Sequence, residues 1–93
     1  MKKKPTKKES KYMGMVADLG CLICGGEAEV HHIRLGQGMG QRADNYLTAP
    51  LCPFHHRTGG FGEAIHAGRR QFEIQQGCNE LQLLAETIKR LMK

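Results

Sequence analysis

The sequence predicts a small α+β domain that is held together by a bound metal ion. Residues 28–35 and 46–51 favour extended structure and indicate a strand and its returning partner. Apolar residues at helical spacing near both ends of the chain indicate helices that flank this pair. Two pairs of metal-ligating residues, Cys21 with Cys24 and Cys52 with His55, each enclose two residues, which is the spacing of a closed structural zinc site.

The length and composition of the chain explain why a metal is expected. Its 93 residues make one small domain, and with no Trp, two Tyr, three Phe and 12 Gly the apolar core is thin. A chain of this size buries only about two-thirds of its unfolded surface, so a metal or an oligomer interface is needed for stability. We predict a flexible basic arm over residues 1–11 and a single domain over residues 12–93.

The four cysteines can bind metal or form disulfides, and the cellular compartment decides between the two. Residues 1–11 are rich in Lys and lack the apolar region of a secretory signal. No apolar stretch approaches the roughly 20 residues of a membrane span. The sequence therefore predicts a cytoplasmic protein with reduced thiols and no membrane association, which favours metal. Cys78 lies outside both spaced pairs and is predicted to be a plain thiol.

The chain is basic, with a formal net charge of +5 and a pI near 9.2, which suits a polyanionic partner such as nucleic acid. Much of the positive charge comes from the lysines of residues 1–11. Such a run of like charges is also typical of a disordered, solubilising tail. The charge supports nucleic-acid binding without proving it, because electrostatic attraction to phosphates does not require an ordered arm.

The first two helical segments have clear ends. Residues 12–19 place apolar side chains on one helical face, and Gly20 fits a C-terminal stop. Pro53 suits the first turn of a second helix, which carries residues 55–57. The glycine pair at residues 59–60 is expected to interrupt that helix.

The rest of the chain is read as a loop and two further helices. Residues 36–44 form a glycine-rich loop that completes neither nucleotide-binding pattern. Residues 63–76 are predicted to be helical up to a C-cap at Gly77, with core positions Phe72 and Ile74.

Asn79 caps the final helix, with Gln82 completing a weaker capping box. This helix has an apolar stripe formed by Leu81, Leu84, Ile88 and Leu91. The stripe is interpreted as intramolecular core, and a dimer seam is the alternative.

The histidines carry the prediction of chemistry. Of the four histidines that stand in adjacent doublets, His31, His32 and His56 remain once the zinc set is filled. Phosphodiester hydrolysis needs a base for water and a metal that offsets phosphate charge, and neutral imidazole can act as the base and can hold the metal. Neighbours on a regular strand point to opposite faces, so His31 and His32 can serve one site only if the strand ends or bulges there.

Four short motifs together resemble the HNH endonucleases, which have the ββα-metal (His-Me finger) fold. The motifs are Cys-x2-Cys, then His31-His32-Ile33, then Asp44-Asn45, then Cys52-x2-His55-His56. More narrowly, the segments VHHIR, PLCPFHH and IHAG resemble small phage and prophage nucleases of the recombination-enhancement (Ref) group. The resemblance covers roughly residues 19–77 and implies a bacterial host cell.

The resemblance implies a role for individual residues. His32 matches the general base, and Asn45 or its neighbour Asp44 matches the middle polar residue that orients the base or binds metal. The residues in the places of ligands to the catalytic ion are His31, His56 and, in the narrower group, His66. The family implies Mg²⁺ or Mn²⁺, with Zn²⁺ in some members, and products with 5′-phosphate and 3′-hydroxyl ends.

Two departures from the family pattern accompany these assignments. His55 stands where the usual final zinc ligand is a cysteine, and imidazole binds zinc well. The middle Asn lies further from Cys52 than in the commonest HNH spacing. The candidate phosphate contacts are Arg34, Arg42, Arg57, Arg69 and Arg70.

The predicted function is a metal-dependent DNA endonuclease or nickase associated with phage or prophage recombination. Its predicted partners are DNA and either a recombination protein or a second copy of the chain. One alternative is a zinc-stabilised nucleic-acid-binding module without catalysis. Another is a protein-interaction zinc domain that docks through the last helix.

Overall fold

The computed structural model describes residues 4–34 and 43–93 and confirms a small α+β protein. The predicted glycine-rich loop lies almost wholly outside the described residues, and so does Arg42. The elements in chain order are α1 (Lys7–Asp18), β1 (Glu29–His32), β2 (Thr48–Leu51), a π-type turn (Phe54–Thr58), a 3-10 turn (Ile65–Ala67), α2 (Arg69–Gln76) and α3 (Glu80–Leu91).

The two strands form an antiparallel pair, in which Glu29 lies opposite Leu51 and His32 lies opposite Thr48. A two-stranded hairpin is marginally stable in water unless something packs against it. Both α1 and α3 contact β2, and all four residues of β2 are buried. The apolar core therefore lies around β2 and contains Cys21, Ile33, Ala49, Leu51, Cys52, Ile65, Phe72 and Leu83.

The first helix begins at Lys7, within the segment that was predicted to be a flexible arm. Thr6 is its N-cap and accepts a hydrogen bond from the Glu9 N–H at 3.1 Å, while Glu9 Oε1 accepts from the Thr6 N–H at 2.8 Å. This capping box supplies partners for amides at the start of the helix, so the helix begins several residues before the apolar face of residues 12–19. The prediction considered apolar periodicity and overlooked the cap.

Both glycines that were predicted to end helices do so. Gly20 follows the C-cap of α1 with φ of +84°, and Gly77 ends α2 with φ of +75°. A residue with a Cβ atom is strained at such positive φ angles, so glycine is preferred there. None of the helices among the described residues is long and apolar enough to cross a lipid bilayer.

The predicted N-cap of α3 is also confirmed. Asn79 Oδ1 accepts from the Gln82 N–H at 2.8 Å, and Gln82 Oε1 accepts from the Asn79 N–H at 2.8 Å.

We expect Asn79→Ala to lower the free energy of unfolding by about 1 kcal/mol, because amides of the first turn lose their acceptor. Urea denaturation of the zinc-loaded protein measures this change. Asn79→Ser keeps an oxygen at the cap and should retain most of the stability; equal losses in both variants would contradict the prediction.

The helical segments between Pro53 and Gly77 are shorter than predicted. Residues 54–58 form a single π-type turn, which ends where the Gly59 N–H donates to the Phe54 carbonyl at 2.9 Å. The prediction of one helix over residues 63–76 is wrong for the residues before Arg69, where α2 begins. Gly68, with φ of 165° and ψ of 102°, leaves helical geometry and separates the 3-10 turn from α2.

Two predictions about buried apolar residues are wrong. Ile74 is 66% exposed on α2, whereas Phe72 is fully buried as predicted. On α3, Leu81 is 61% exposed and Ile88 is also exposed, whereas Leu84 of the same predicted stripe packs against the core. The buried face of α3 instead carries Glu80, Leu83 and Thr87, because Glu80 reaches an imidazole in β1 and fixes the rotation of the helix. The dimer seam stays a prediction.

Candidate metal centre

The structure brings the four predicted zinc ligands, Cys21, Cys24, Cys52 and His55, into one cluster. Cys24 Sγ lies 3.6 Å from Cys52 Sγ, and His55 Nδ1 lies 3.3 Å from Cys52 Sγ and 3.9 Å from Cys21 Sγ. Tetrahedral zinc separates two sulfurs by about 3.8 Å and a sulfur from a nitrogen by about 3.6 Å. The donor set and its spacing therefore fit a metal ion such as zinc.

Local hydrogen bonds form this cluster. The Cys21 N–H donates to the Gly26 carbonyl and the Gly25 N–H to the Cys21 carbonyl, both at 2.8 Å, which closes the knuckle turn. The Ile23 N–H points at Cys21 Sγ from 3.4 Å. Burial would raise the pKa of the Cys21 thiol, but the amide groups around its sulfur outweigh burial and lower that pKa. A lowered thiol pKa favours the thiolate form that binds zinc.

The fourth predicted ligand is His55. His55 Nδ1 faces the sulfurs, and His55 Nε2 lies 3.8 Å from Glu63 Oε2, a separation too long for a hydrogen bond. Cys78 does not take part in the cluster and is half-buried elsewhere, as predicted.

The structure also brings together His31, His56 and His66, the residues matched to a catalytic ion. Each offers one nitrogen, and these nitrogens all lie within 4.8 Å of one another. The rings of His56 and His66 lie 4.2 Å apart between centroids, and that of His31 lies 5.2 Å from His56. Three convergent imidazoles are a donor set that suits a divalent metal ion.

The first of these histidines is backed by a carboxylate. His31 Nε2 donates to Glu80 Oε2 at 2.7 Å, and Arg69 Nη1 lies 3.4 Å from the other Glu80 oxygen. Burial alone would raise the pKa of Glu80, but its hydrogen bonds with His31 and Arg69 lower that pKa. His31 Nδ1 is buried and has no hydrogen-bond partner among the described residues.

His56 is also backed by a carboxylate, but through Nδ1 instead of Nε2. His56 Nδ1 donates to Glu29 Oε2 at 2.5 Å, which leaves His56 Nε2 for other partners. Arg57 donates to both oxygens of Glu29, at 2.7 and 3.1 Å. The hydrogen bonds from Arg57 and His56 lower the pKa of Glu29 to about 2.

The surroundings of His56 and His66 lower the pKa of both imidazoles. Burial lowers the pKa of His56, and the neighbouring His31 lowers it further, although the carboxylate of Glu29 opposes both. Burial and the same two imidazoles also lower the pKa of His66. Both side chains therefore stay unprotonated near pH 7, and neutral imidazole is the form that binds metal.

His32 lies beside this cluster and belongs to the same cleft. Its Nε2 donates to Asn45 Oδ1 at 2.9 Å, which leaves Nδ1 as the basic nitrogen. Both His31 and His32 are among the residues that line the cleft, and His32 is paired with Thr48 at the end of β1. The cleft has a volume of about 370 Å³ and is lined by Val30, His31, His32, Arg34, His56, Ile65, His66, Arg69 and Glu80.

Comparison with known proteins gives a family for the chain. The family model described as "Protein of unknown function (DUF968)" matches residues 1–93. The chain belongs to this family. No curated protein and no solved structure matches it.

The predicted phosphate-binding arginines of this DUF968 protein fall into different places. Arg34 and Arg69 line the cleft, and Arg69 also contacts Glu80. Arg70 is exposed on α2 and is not among the residues that line the cleft. Asp44, the alternative to Asn45, accepts from the Tyr46 N–H at 2.8 Å and stabilises the turn before β2.

Glu29 and Glu80 are the residues of the site that sequence reasoning missed. Glu29 lies two residues before His31 on β1, and in a strand such spacing places two side chains on one face. That periodicity could have identified it. Glu80 is 49 residues from His31, and no spacing rule connects two residues so far apart.

Proposed function

We propose that this DUF968 protein is a metal-dependent DNA endonuclease of the HNH type that nicks one strand at a time. The observation that carries the proposal is a single cleft in which three imidazoles converge beside a fourth, His32, that a side-chain amide orients. Three convergent imidazoles can bind an ion, and an oriented neutral imidazole with a free nitrogen can accept a proton. This combination is the minimum that hydrolysis of a phosphodiester requires.

The residues that would hold the ion are His31, His56 and His66. The buried, unpartnered His31 Nδ1 indicates that the site fits a cation, because a buried acceptor without a partner is costly. A bound divalent ion would offset the negative charge that develops on the phosphate oxygens during hydrolysis. Mg²⁺ and Mn²⁺ are the ions that the family resemblance implies, and Zn²⁺ is a further candidate that imidazole ligands suit.

His32 supplies the base. Its Nδ1 accepts a proton from a water molecule as the water oxygen attacks phosphorus, while Nε2–H stays on Asn45 Oδ1. The bond from phosphorus to the 3′ oxygen breaks, and that oxygen leaves as an alcohol after taking a proton from solvent. The ends are a 5′-phosphate and a 3′-hydroxyl. Positioned bases of this kind contribute about 10²–10⁴-fold to the rate.

The charges near the cleft support a nucleic-acid substrate. Arg34 and Arg69 line the cleft, and the chain carries a net charge of +5. Cationic side chains at such a site draw phosphates in and fix their position without reading sequence. A role in phage or prophage recombination, and the finer ββα-metal assignment, rest on the sequence resemblance and belong to this proposal.

The test is cleavage of supercoiled plasmid by zinc-loaded protein with Mg²⁺, with Mn²⁺ and with excess EDTA. We expect conversion to the open-circular form only with an added divalent ion, because the cluster of imidazoles has to be filled. DNA ligase should reseal the product, since it requires the two ends described above. Absence of nicking with every ion, in protein that is folded and loaded with zinc, would reject the nuclease.

The same experiment distinguishes the alternative of a zinc-stabilised nucleic-acid-binding module. The basic side chains favour this alternative, because phosphate contacts require no catalytic residue. A gel shift that weakens with salt, without cleavage under any divalent ion, would be its signature. Neither a shift nor cleavage would instead favour the protein-interaction domain.

A further inference from the structure

We propose that Glu80, at the start of α3, is a positioning residue that fixes the tautomer and orientation of His31, so that His31 presents Nδ1 to the ion. Glu80 lies outside the part of the chain that resembles HNH endonucleases, roughly residues 19–77. The inference rests on the metal centre of the proposed function, and it assigns that centre a component from the C-terminal helix.

His31 and Glu80 form a buried pair. His31 is 5% exposed and Glu80 is 4% exposed, so both are withdrawn from water. Their atoms Nε2 and Oε2 lie 2.7 Å apart. A buried carboxylate is costly unless its oxygens are satisfied, and the second oxygen of Glu80 is approached by Arg69. The arrangement is therefore specific to a carboxylate at this position.

The hydrogen bond to Glu80 fixes which nitrogen of the His31 ring carries the proton. A neutral imidazole carries one N–H and one lone pair, and the carboxylate oxygen accepts only from an N–H. The proton is therefore held on His31 Nε2, and the lone pair is held on Nδ1. That atom is the buried acceptor without a partner among the described residues, and its ring lies beside those of His56 and His66.

The pair is also connected to the fold. Glu80 is the first residue of α3, its N–H donates to Glu73 Oε2 at 3.1 Å, and Asn79 caps the helix beside it. The backbone of the helix thereby holds the carboxylate in place. Ion binding at His31 should in turn stabilise the first turn of α3, because the ion and Glu80 hold opposite sides of one ring.

The test compares Glu80→Gln with Glu86→Gln in zinc-loaded protein. Glu86 lies on the same helix and pairs with Arg90 at 2.9 Å, away from the cleft. Gln at position 80 nearly conserves the shape, but its amide can donate as well as accept and no longer dictates the tautomer. We expect the dissociation constant for Mn²⁺, measured by electron paramagnetic resonance, to rise about 10–100-fold in Glu80→Gln and to stay unchanged in Glu86→Gln.

A spectroscopic readout keeps the test independent of folding and of activity. Two-bond ¹H–¹⁵N spectra of the wild-type protein, zinc-loaded and before Mn²⁺ is added, should show the His31 proton on Nε2. A proton on Nδ1 would overturn the proposal whatever the variants do. Mn²⁺ affinity unchanged in a folded Glu80→Gln variant would overturn it as well.

These outcomes can be separated from those of the proposed function. If plasmid nicking fails while Glu80→Gln still loses Mn²⁺ affinity, the nuclease is rejected and the role of Glu80 stands. If nicking is observed and both glutamine variants bind Mn²⁺ as the wild type does, the nuclease stands and the role of Glu80 is rejected.

Discussion

Replacing His32 with alanine is expected to lower metal-dependent nicking by about 10²–10⁴-fold, because the reaction loses its proton acceptor. His32 is half-buried at the end of β1 and is not one of the three clustered imidazoles. The zinc content and the Mn²⁺ affinity of His32→Ala should therefore equal those of the wild type. The measurement is the initial rate of plasmid nicking, with both proteins purified in the same way.

Asn45→Ala is the matched variant for this prediction. It removes the amide that accepts from His32 Nε2 but keeps the imidazole, so the loss of rate should be smaller than in His32→Ala. Equal nicking by wild type and His32→Ala would show that another group is the base or that the activity comes from a contaminant. A His32→Ala protein that also loses Mn²⁺ would instead make His32 a ligand.

Replacing Cys52 with serine is expected to abolish zinc retention and cooperative unfolding. Cys52 is in the core and lies within 3.6 Å of two other members of the zinc set. Structural zinc contributes about 10–16 kcal/mol of apparent binding free energy in small domains, whereas a whole domain is stable by only about 5–15 kcal/mol. The described sheet has two strands, so little else could replace the metal.

Cys78→Ser is the control that the chain itself offers. Cys78 is a half-buried thiol outside the cluster, so this variant should keep one zinc ion and unfold near the wild-type temperature. Zinc content by mass spectrometry under native conditions and thermal unfolding by circular dichroism measure both variants. A Cys52→Ser protein that stays folded without zinc would show that apolar packing alone suffices.

The two clusters are coupled by the turn that follows β2. His55 belongs to the zinc set, and His56, the next residue, belongs to the set of imidazoles in the cleft. The His56 N–H donates to the carbonyl of Cys52 at 2.8 Å, so a zinc ligand holds the backbone of a cleft residue. Loss of zinc should therefore disrupt the cleft as well as the fold.

The limits of sequence reasoning are clearest for the helices. Caps that depend on residues close in the chain, such as Gly77 and Asn79, could be predicted because their hydrogen bonds are local. The rotation of α3 about its axis could not be predicted, since the apolar spacing favoured Leu81 and Ile88 as core residues, whereas both are exposed. The distant contact between Glu80 and His31 outweighed that spacing, because an unpaired buried imidazole or carboxylate costs more than an exposed leucine.

The sequence predicted the members of both clusters, the zinc set from its spacing and the three imidazoles from the family resemblance. Pairs of cysteine and histidine at short spacing have few other uses in a chain without disulfides, and metal chemistry restricts the residue types. Only the tertiary structure decided which nitrogen of His31 and of His56 is available, because the carboxylates of Glu80 and Glu29 select it through space. Likewise, only the tertiary structure shows that His31 and His32 both line one cleft. Long-range contacts of this kind produce no periodic pattern in the amino-acid sequence.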